Sequence, residues 1–92
     1  MNQRKIKIVV ADDHGLFRMG MMELLSGFTE IQVLFDAANG RELIDKIETS
    51  DHKPDICLLD IKMPVMDGFA SAKYIRNHWP HIRTLAVSMY DD

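Results

Sequence analysis

The segment 55–68 places the strongest constraint on the fold. A continuous apolar run, Ile56–Leu59, ends in an acidic residue, Asp60, and is followed by Pro64 and an Asp-Gly pair. An apolar run of this length between turn signals is typical of a strand buried inside a parallel sheet. Asp60 then stands at the carboxyl end of the strand, where open α/β sheets hold their ligands. Burying a charged carboxylate there costs free energy unless an opposite charge pairs with it. Asp60 is therefore the first candidate functional residue.

Strand and helix patterns alternate along the whole chain. β-Branched apolar runs predict strands, and apolar residues at helical spacing, ended by glycine or proline, predict helices. The further strands are predicted at Ile6–Ala11, Ile31–Ala37 and Ile82–Met89, and the helices from His14 to Gly27, over Gly40–Thr49 and from Gly68 to about His78. This βαβαβαβ order predicts an α/β fold, a doubly wound parallel sheet with right-handed crossovers.

Two apolar faces are expected to pack against that sheet. The apolar residues at helical spacing in the first helix are Leu16, Phe17, Met21, Leu24, Leu25 and Phe28. The third helix is predicted to carry inward Phe69, Ala72, Ile75 and Trp79. Both helices are therefore expected to be amphipathic.

Composition narrows the class of protein. Ninety-two residues allow one small domain, and a net charge of −3 argues against a broad nucleic-acid footprint. The single cysteine, Cys57, lies within an apolar strand, which fits a buried thiol and a reducing compartment. No apolar run approaches the ~20 residues of a membrane span, and the N-terminus lacks the apolar core of a signal peptide. The expected location is the cytoplasm, with no membrane association.

The fourth strand is followed only by Met89-Tyr90-Asp91-Asp92. A doubly wound unit usually continues with a further helix, an edge strand and a last helix. The sheet is therefore expected to be incomplete, with an edge and part of one face covered by a longer chain or by a partner.

Polar residues follow three of the predicted strands. Asp12 and Asp13 follow the first, Asp60 ends the third, and Ser88 lies near the end of the fourth. Carboxylates in one pocket repel each other, and a hard cation such as Mg²⁺ resolves this, since it prefers oxygen ligands. One carboxylate can act as a nucleophile and form an aspartyl-phosphate, and a hydroxyl can donate to a phosphoryl oxygen.

Simpler interpretations remain open for each residue. Asp12 and Asp13 could serve only as helix caps, with Asp13 capping the first helix, and Asp60 could be a turn residue. Ser88 alone carries no signal, and His14 is assigned to a solvated helix start in preference to a metal ligand. Acids at two strand ends with a hydroxyl at a third are nevertheless hard to obtain by chance.

Together these motifs resemble the receiver domain of a bacterial two-component response regulator. The matching features are the Asp12-Asp13 pair, Asp60 at the end of its strand, the loop from Met63-Pro64 to Asp67-Gly68, and Ser88. The opening Asp12-Asp13-His14 with Arg18-Met19-Gly20 is similar to the NarL/LuxR-type DNA-binding subfamily. The resemblance implies a flavodoxin-like (CheY-like) fold with strand order 2-1-3-4-5. Residues 1–92 then correspond to the N-terminal portion of a receiver domain, without its output domain.

The resemblance also implies roles for individual residues. Asp60 resembles the phosphoacceptor, which takes a phosphoryl group from a sensor histidine kinase. Asp13 and Asp12 resemble the Mg²⁺ carboxylates, and Asp60 and the backbone carbonyl of Lys62 would complete the protein ligands. Ser88 resembles the switch hydroxyl. The family's fifth-strand lysine has no counterpart within these 92 residues.

Three functions compete. The leading prediction is a phosphorylated signalling domain that is not itself an enzyme and reaches DNA only through an output domain. A hydrolase with an aspartyl-phosphate intermediate is less favoured, because such enzymes carry Asp-x-Asp after the first strand and His14 stands in place of the second acid. The third is a non-phosphorylated interaction module, a homodimer or segment-exchanged dimer joined through an exposed sheet edge.

Overall fold

The structure, a computed structural model, describes residues 4–87. It contains strands β1 (Ile6–Ala11), β2 (Ile31–Ala37), β3 (Ile56–Asp60) and β4 (Arg83–Val87), and helices α1 (Gly15–Ser26), α2 (Gly40–Thr49) and α3 (Gly68–His78). The predicted βαβαβαβ order is confirmed. The end of the predicted fourth strand, residues 88 and 89, lies outside the described residues.

All strand pairs are parallel, in the order β2-β1-β3-β4. The predicted doubly wound sheet is therefore confirmed. Strand β1 lies between β2 and β3, with Ala11 opposite Ala37 on one side and opposite Leu59 on the other. The carboxyl ends of β1 and β3 consequently meet at one edge of the sheet.

Helices α2 and α3 start at side-chain caps encoded within a few residues. The Asn39 side chain accepts a hydrogen bond from the Glu42 backbone N–H at 2.9 Å, and Asp67 accepts one from Ala70 at 2.9 Å. Such caps satisfy N–H groups that have no partner inside the helix. This explains why the predicted bounds of these two helices agree with the structure.

The main core lies between the sheet and helices α2 and α3. Its fully buried members come from both strands and helices and include Val9, Leu43, Ile44, Ile47, Cys57 and Ile75. Burial raises the pKa of the Cys57 thiol to about 12, so this cysteine is protonated and inert at neutral pH, as the sequence predicted.

The predicted burial of α1 is wrong in part. Leu16 is 86% exposed, Leu24 is largely exposed, and no residue of α1 is fully buried within residues 4–87. The helix packs mainly against β1 and β2, and most of the rest of its surface is exposed. Phe69 was also predicted to point inward, but it is 70% exposed at the start of α3.

No helix in the described range is long and apolar enough to cross a membrane.

Candidate functional site

The sheet brings the predicted acidic residues together. Asp12 follows β1 directly and Asp60 ends β3, and because these strands are neighbours in parallel register, both side chains lie at the same edge. Asp12 is 2% exposed and Asp60 is 5% exposed. Donor atoms of Asp12, Asp13, His14 and Asp60 all lie within 4.8 Å of one another. We call these four residues the acidic cluster.

Asp12 is held on several sides. Its backbone N–H donates to the Ala37 carbonyl at 3.0 Å, and its Oδ1 atom accepts from the His14 backbone N–H at 2.8 Å. Arg18 donates to the Asp12 carbonyl oxygen at 2.5 Å and binds Asp36 at 2.7 Å. Arg18 was noted in the sequence only as part of a subfamily pattern, because nothing local connects it to Asp12.

The predicted capping role of Asp13 is wrong. The residue that precedes the first turn of α1 is His14, and no side chain there makes a capping hydrogen bond. Asp13 instead directs Oδ1 to within 3.2 Å of the His14 Nδ1 atom. Asp12 and Asp13 therefore contribute to the acidic cluster, and neither side chain caps the start of α1.

Asp60 has one partly satisfied oxygen and one without a hydrogen bond. The Lys62 backbone N–H donates to Oδ1 over a long 3.4 Å, while Oδ2 is buried and has no hydrogen-bond partner among residues 4–87. Burial raises the pKa of Asp60, and the negative charge of Asp12 raises it further. A buried carboxylate oxygen without a partner fits the coordination of a cation, so the donor set suits a hard divalent ion such as Mg²⁺.

His14 joins the cluster through its ring. Its Nδ1 atom lies 3.2 Å from Oδ1 of Asp12, 3.2 Å from Oδ1 of Asp13 and 3.7 Å from Oδ2 of Asp60. The hydrogen bond with Asp12 and the charge of Asp13 raise the pKa of His14 above its ordinary 6.5. The sequence placed this residue at a solvated helix start; the backbone is there, but the ring points towards three carboxylates.

The loop between β3 and α3 fits closely around Asp60. The Gly68 N–H donates to the Ile61 carbonyl at 2.9 Å, and a Cβ atom on Gly68 would lie 2.5 Å from the Asp60 carbonyl oxygen. Only glycine permits this approach. Pro64 and Gly68 belong to the loop that the sequence matches to the receiver-domain pattern.

An open groove of about 480 Å³ borders the cluster. Its lining includes Asp13, Lys62, Pro64, Asp67 and the exposed Phe69. Because Asp13 belongs both to the groove and to the acidic cluster, a partner side chain in the groove would lie beside the carboxylates. The arrangement thus combines buried acids with access from outside.

The predicted roles of Ser88 and of the Lys62 backbone carbonyl are not tested by the structure. Ser88 lies outside the described residues, although its neighbour Val87 is opposite Asp60 in the β3–β4 register. For Lys62, the structure shows the backbone N–H, not the carbonyl, facing Oδ1 of Asp60, at 3.4 Å. Both roles stay predictions.

A parallel sheet of this order, with a cluster of buried acids at its carboxyl edge, defines a receiver fold. The model of the response regulator receiver domain family matches residues 8–92. The chain belongs to this family.

The relatives point to one branch of it. The chain is 34% identical over 92 residues to the transcriptional regulatory protein DegU of Brevibacillus brevis, covering 100% of this chain and 38% of that protein. The receiver domain structure of the response regulator NarL from Mycobacterium tuberculosis superposes with a TM-score of 0.87 at 37% identity, covering 98% of this chain and 71% of that one. The predicted resemblance to the NarL-type subfamily is therefore confirmed.

Another relative is named as an enzyme and not as a transcriptional regulator. The protein-glutamate methylesterase/protein-glutamine glutaminase 2 of Pseudomonas fluorescens is 40% identical over 75 residues, which is 82% of this chain and 20% of that protein. The chain thus spans well under half the length of these curated relatives. What the remainder of each relative does is a property of that relative.

Proposed function

We propose that this chain is a phosphoacceptor domain that receives a phosphoryl group on Asp60 from a sensor histidine kinase. The observation that carries the proposal is the buried Asp60 carboxylate, whose Oδ2 atom has no hydrogen-bond partner within residues 4–87 and which faces Asp12 and His14. Membership of the receiver family supports the same role.

The reaction is a phosphoryl transfer between side chains. A carboxylate oxygen of Asp60 attacks phosphorus, a P–O bond forms, and the P–N bond to the kinase imidazole breaks, with a proton taken up by the departing ring. The groove beside Asp13 and Lys62 gives the phosphohistidine its approach. Burial and Asp12 raise the proton affinity of the Asp60 carboxylate, which also strengthens it as a nucleophile.

Asp12, Asp13, Asp60 and the Lys62 carbonyl would hold Mg²⁺. When bound, this ion neutralises the charge of the phosphoryl oxygens. Arg18 fixes Asp12 through its carbonyl, so that the carboxylate is directed into the cluster before any ion arrives. Ser88 would donate to a phosphoryl oxygen and couple the acylphosphate to a change of surface.

Similarity to the NarL-type branch supports a proposal for the downstream partners. The domain would signal in the cytoplasm to an output domain that binds DNA, and would not itself catalyse turnover of a substrate. DegU is named as a transcriptional regulator, which supports this assignment.

The test is intact mass after incubation with acetyl phosphate and Mg²⁺. Wild type should gain one phosphoryl group, sensitive to hydroxylamine, and Asp60→Asn should gain none. Asp45→Asn is the matched control, because Asp45 is an exposed aspartate on α2 and should leave the gain intact. Equal labelling of wild type and Asp60→Asn would rule Asp60 out as the acceptor.

A second candidate is a homodimer, including a segment-exchanged one, joined through β4. Strand β4 is one of the two edge strands of the described sheet, and most of its side chains are exposed, Leu85 among them. An unpaired edge strand is a ready site for pairing with another chain. Light scattering across a concentration series tests this: a dimer mass supports it, and a monomer at all concentrations contradicts it.

A further inference from the structure

We propose that His14 is a metal ligand, and that the acidic cluster therefore also binds a borderline divalent transition ion such as Zn²⁺ or Co²⁺. This inference rests on the proposed function, in which the carboxylates of the cluster hold a divalent cation. It adds a nitrogen donor and a second class of ion.

The spacing of the donor atoms fits coordination. Two ligands that each lie about 2.0–2.1 Å from a zinc ion are roughly 3.3 Å apart in a tetrahedron. The Nδ1 atom of His14 is 3.2, 3.2 and 3.7 Å from oxygens of Asp12, Asp13 and Asp60. All four donors lie within 4.8 Å, so small side-chain rotations bring the carboxylates to the same spacing.

The hydrogen bonding of Asp60, as distinct from the spacing of the donor atoms, also points to an ion at this place. The Asp60 side chain is 6% exposed, and its Oδ2 atom, which faces Nδ1 of His14, has no hydrogen-bond partner in the described chain. Leaving a buried carboxylate oxygen unpaired costs free energy. A cation held between Nδ1 of His14 and Oδ2 of Asp60 would give Oδ2 the partner that it lacks among the described residues.

Backbone hydrogen bonds position His14, and with it the imidazole ring, before any ion binds. The Asp12 carboxylate accepts the His14 N–H at 2.8 Å, and the His14 carbonyl accepts the first bond of α1 from Arg18 at 2.9 Å. A donor that is already positioned loses little conformational freedom on coordination.

The chemical type of the donor atoms determines which ions bind more tightly when His14 takes part. Imidazole suits Zn²⁺, Co²⁺ and Ni²⁺, whereas Mg²⁺ prefers oxygen ligands and keeps several waters. A nitrogen beside three carboxylates therefore strengthens binding of the transition ions and adds little for Mg²⁺. With four protein donors, a tetrahedral ion has no open position for a phosphate oxygen, so Zn²⁺ should block phosphorylation of Asp60.

The experiment measures binding without any phosphodonor. Metal-free wild type, His14→Ala and His14→Ser are titrated with Co²⁺, followed by visible absorption, and with Zn²⁺ and Mg²⁺ by calorimetry. Serine is a good helix N-cap, so His14→Ser separates loss of the nitrogen from loss of the helix start. His52→Ala is the matched control, because His52 lies in the exposed loop after α2.

Both His14 variants should bind Co²⁺ and Zn²⁺ about tenfold more weakly or worse, with an altered Co²⁺ spectrum. Their Mg²⁺ affinity should stay close to that of wild type, and His52→Ala should match wild type for every ion. Wild type bound to Co²⁺ should also show a paramagnetically shifted imidazole proton resonance that His14→Ser lacks.

Unchanged Co²⁺ affinity and an unchanged spectrum in His14→Ser would overturn the proposal and leave His14 as an ion-pair partner of the acids. That result is distinguishable from failure of the proposed function, which is judged by labelling of Asp60 with Mg²⁺ alone. Phosphorylation inhibited by Zn²⁺ in wild type, and less so in His14→Ser, is the expected functional counterpart; equal inhibition would contradict the proposal.

Discussion

Arg18 positions Asp12 through its backbone: the Nη1 atom of Arg18 donates a hydrogen bond of 2.5 Å to the Asp12 carbonyl oxygen. The Nε atom of the same side chain binds Asp36 on β2 at 2.7 Å. One guanidinium group thus joins α1, the end of β1 and β2. Arginine suits this task because its donors are fixed in a planar fork.

Arg18→Met should lower the affinity for Mg²⁺ about tenfold, because Asp12 loses the contact that orients its backbone. The free energy of unfolding should fall by about 1–2 kcal/mol, the loss expected for a partly buried charged hydrogen bond. Calorimetry with Mg²⁺ and urea denaturation measure the two effects. Asp36→Asn is the control: it weakens only the ion pair, so its Mg²⁺ affinity should remain near that of wild type. Equal Mg²⁺ affinities in Arg18→Met and wild type would contradict the positioning role.

Asp60→Asn should raise the free energy of unfolding in the absence of divalent ions. Burial and Asp12 hold the pKa of Asp60 above its ordinary 3.8, so the folded state binds the proton more tightly than the unfolded chain does. The contribution of this carboxyl to stability is therefore largest below 3.8 and is lost as pH rises through the folded-state pKa. At about pH 7 the substitution should gain about 1–3 kcal/mol, because it removes a buried negative charge that lies beside Asp12.

Urea denaturation with a chelator, at neutral pH and again in acid, measures this gain, which should shrink as pH falls. Mg²⁺ should stabilise wild type more than Asp60→Asn. The exposed Asp45→Asn serves as the control and should leave the free energy of unfolding close to that of wild type. A loss of stability in Asp60→Asn at neutral pH would contradict the electrostatic account.

Gly40→Ala should destabilise the fold by about 1–3 kcal/mol through overpacking. A Cβ atom at Gly40 would collide with the Ser71 hydroxyl and lie 2.5 Å from the Met66 carbonyl oxygen, which also accepts the Gly40 N–H at 3.0 Å. Gly20→Ala is the matched control, since nothing lies within 4 Å of its Cβ position. Helix propensity predicts a gain of about 0.5–1 kcal/mol at that site. Similar losses in both variants by thermal or urea unfolding would contradict the steric explanation.

Val65→Asn should stabilise the protein by about 1 kcal/mol, because a β-branched residue in the left-handed region is strained whereas asparagine tolerates it. Val65 has φ = 69° and is 82% exposed, so little packing is lost. Urea denaturation is the measurement. Val65→Thr keeps the branched Cβ and should show no gain; if it stabilises as much as asparagine does, backbone strain is not the cause.

The sequence alone determined the elements of this fold. The bounds of β1, β2, α2 and α3 agree with the prediction, because apolar periodicity and the caps at Asn39 and Asp67 act over only a few residues. It also identified Asp12, Asp13 and Asp60 as acids at strand ends, since parallel strands bring their carboxyl ends to one edge.

The tertiary structure alone decided what surrounds those acids. Strand order depends on pairings such as Ala11 with Leu59, which no local pattern encodes, so only the family resemblance predicts it. The same long-range pairing brings the ring of His14 towards Asp60 and leaves Oδ2 of Asp60 without a hydrogen-bond partner in the described chain. Phe69 and Leu16 are exposed because the faces of α3 and α1 that carry them do not pack against the sheet. Local interactions form the elements, but only their packing sets the distances between side chains that are far apart in sequence.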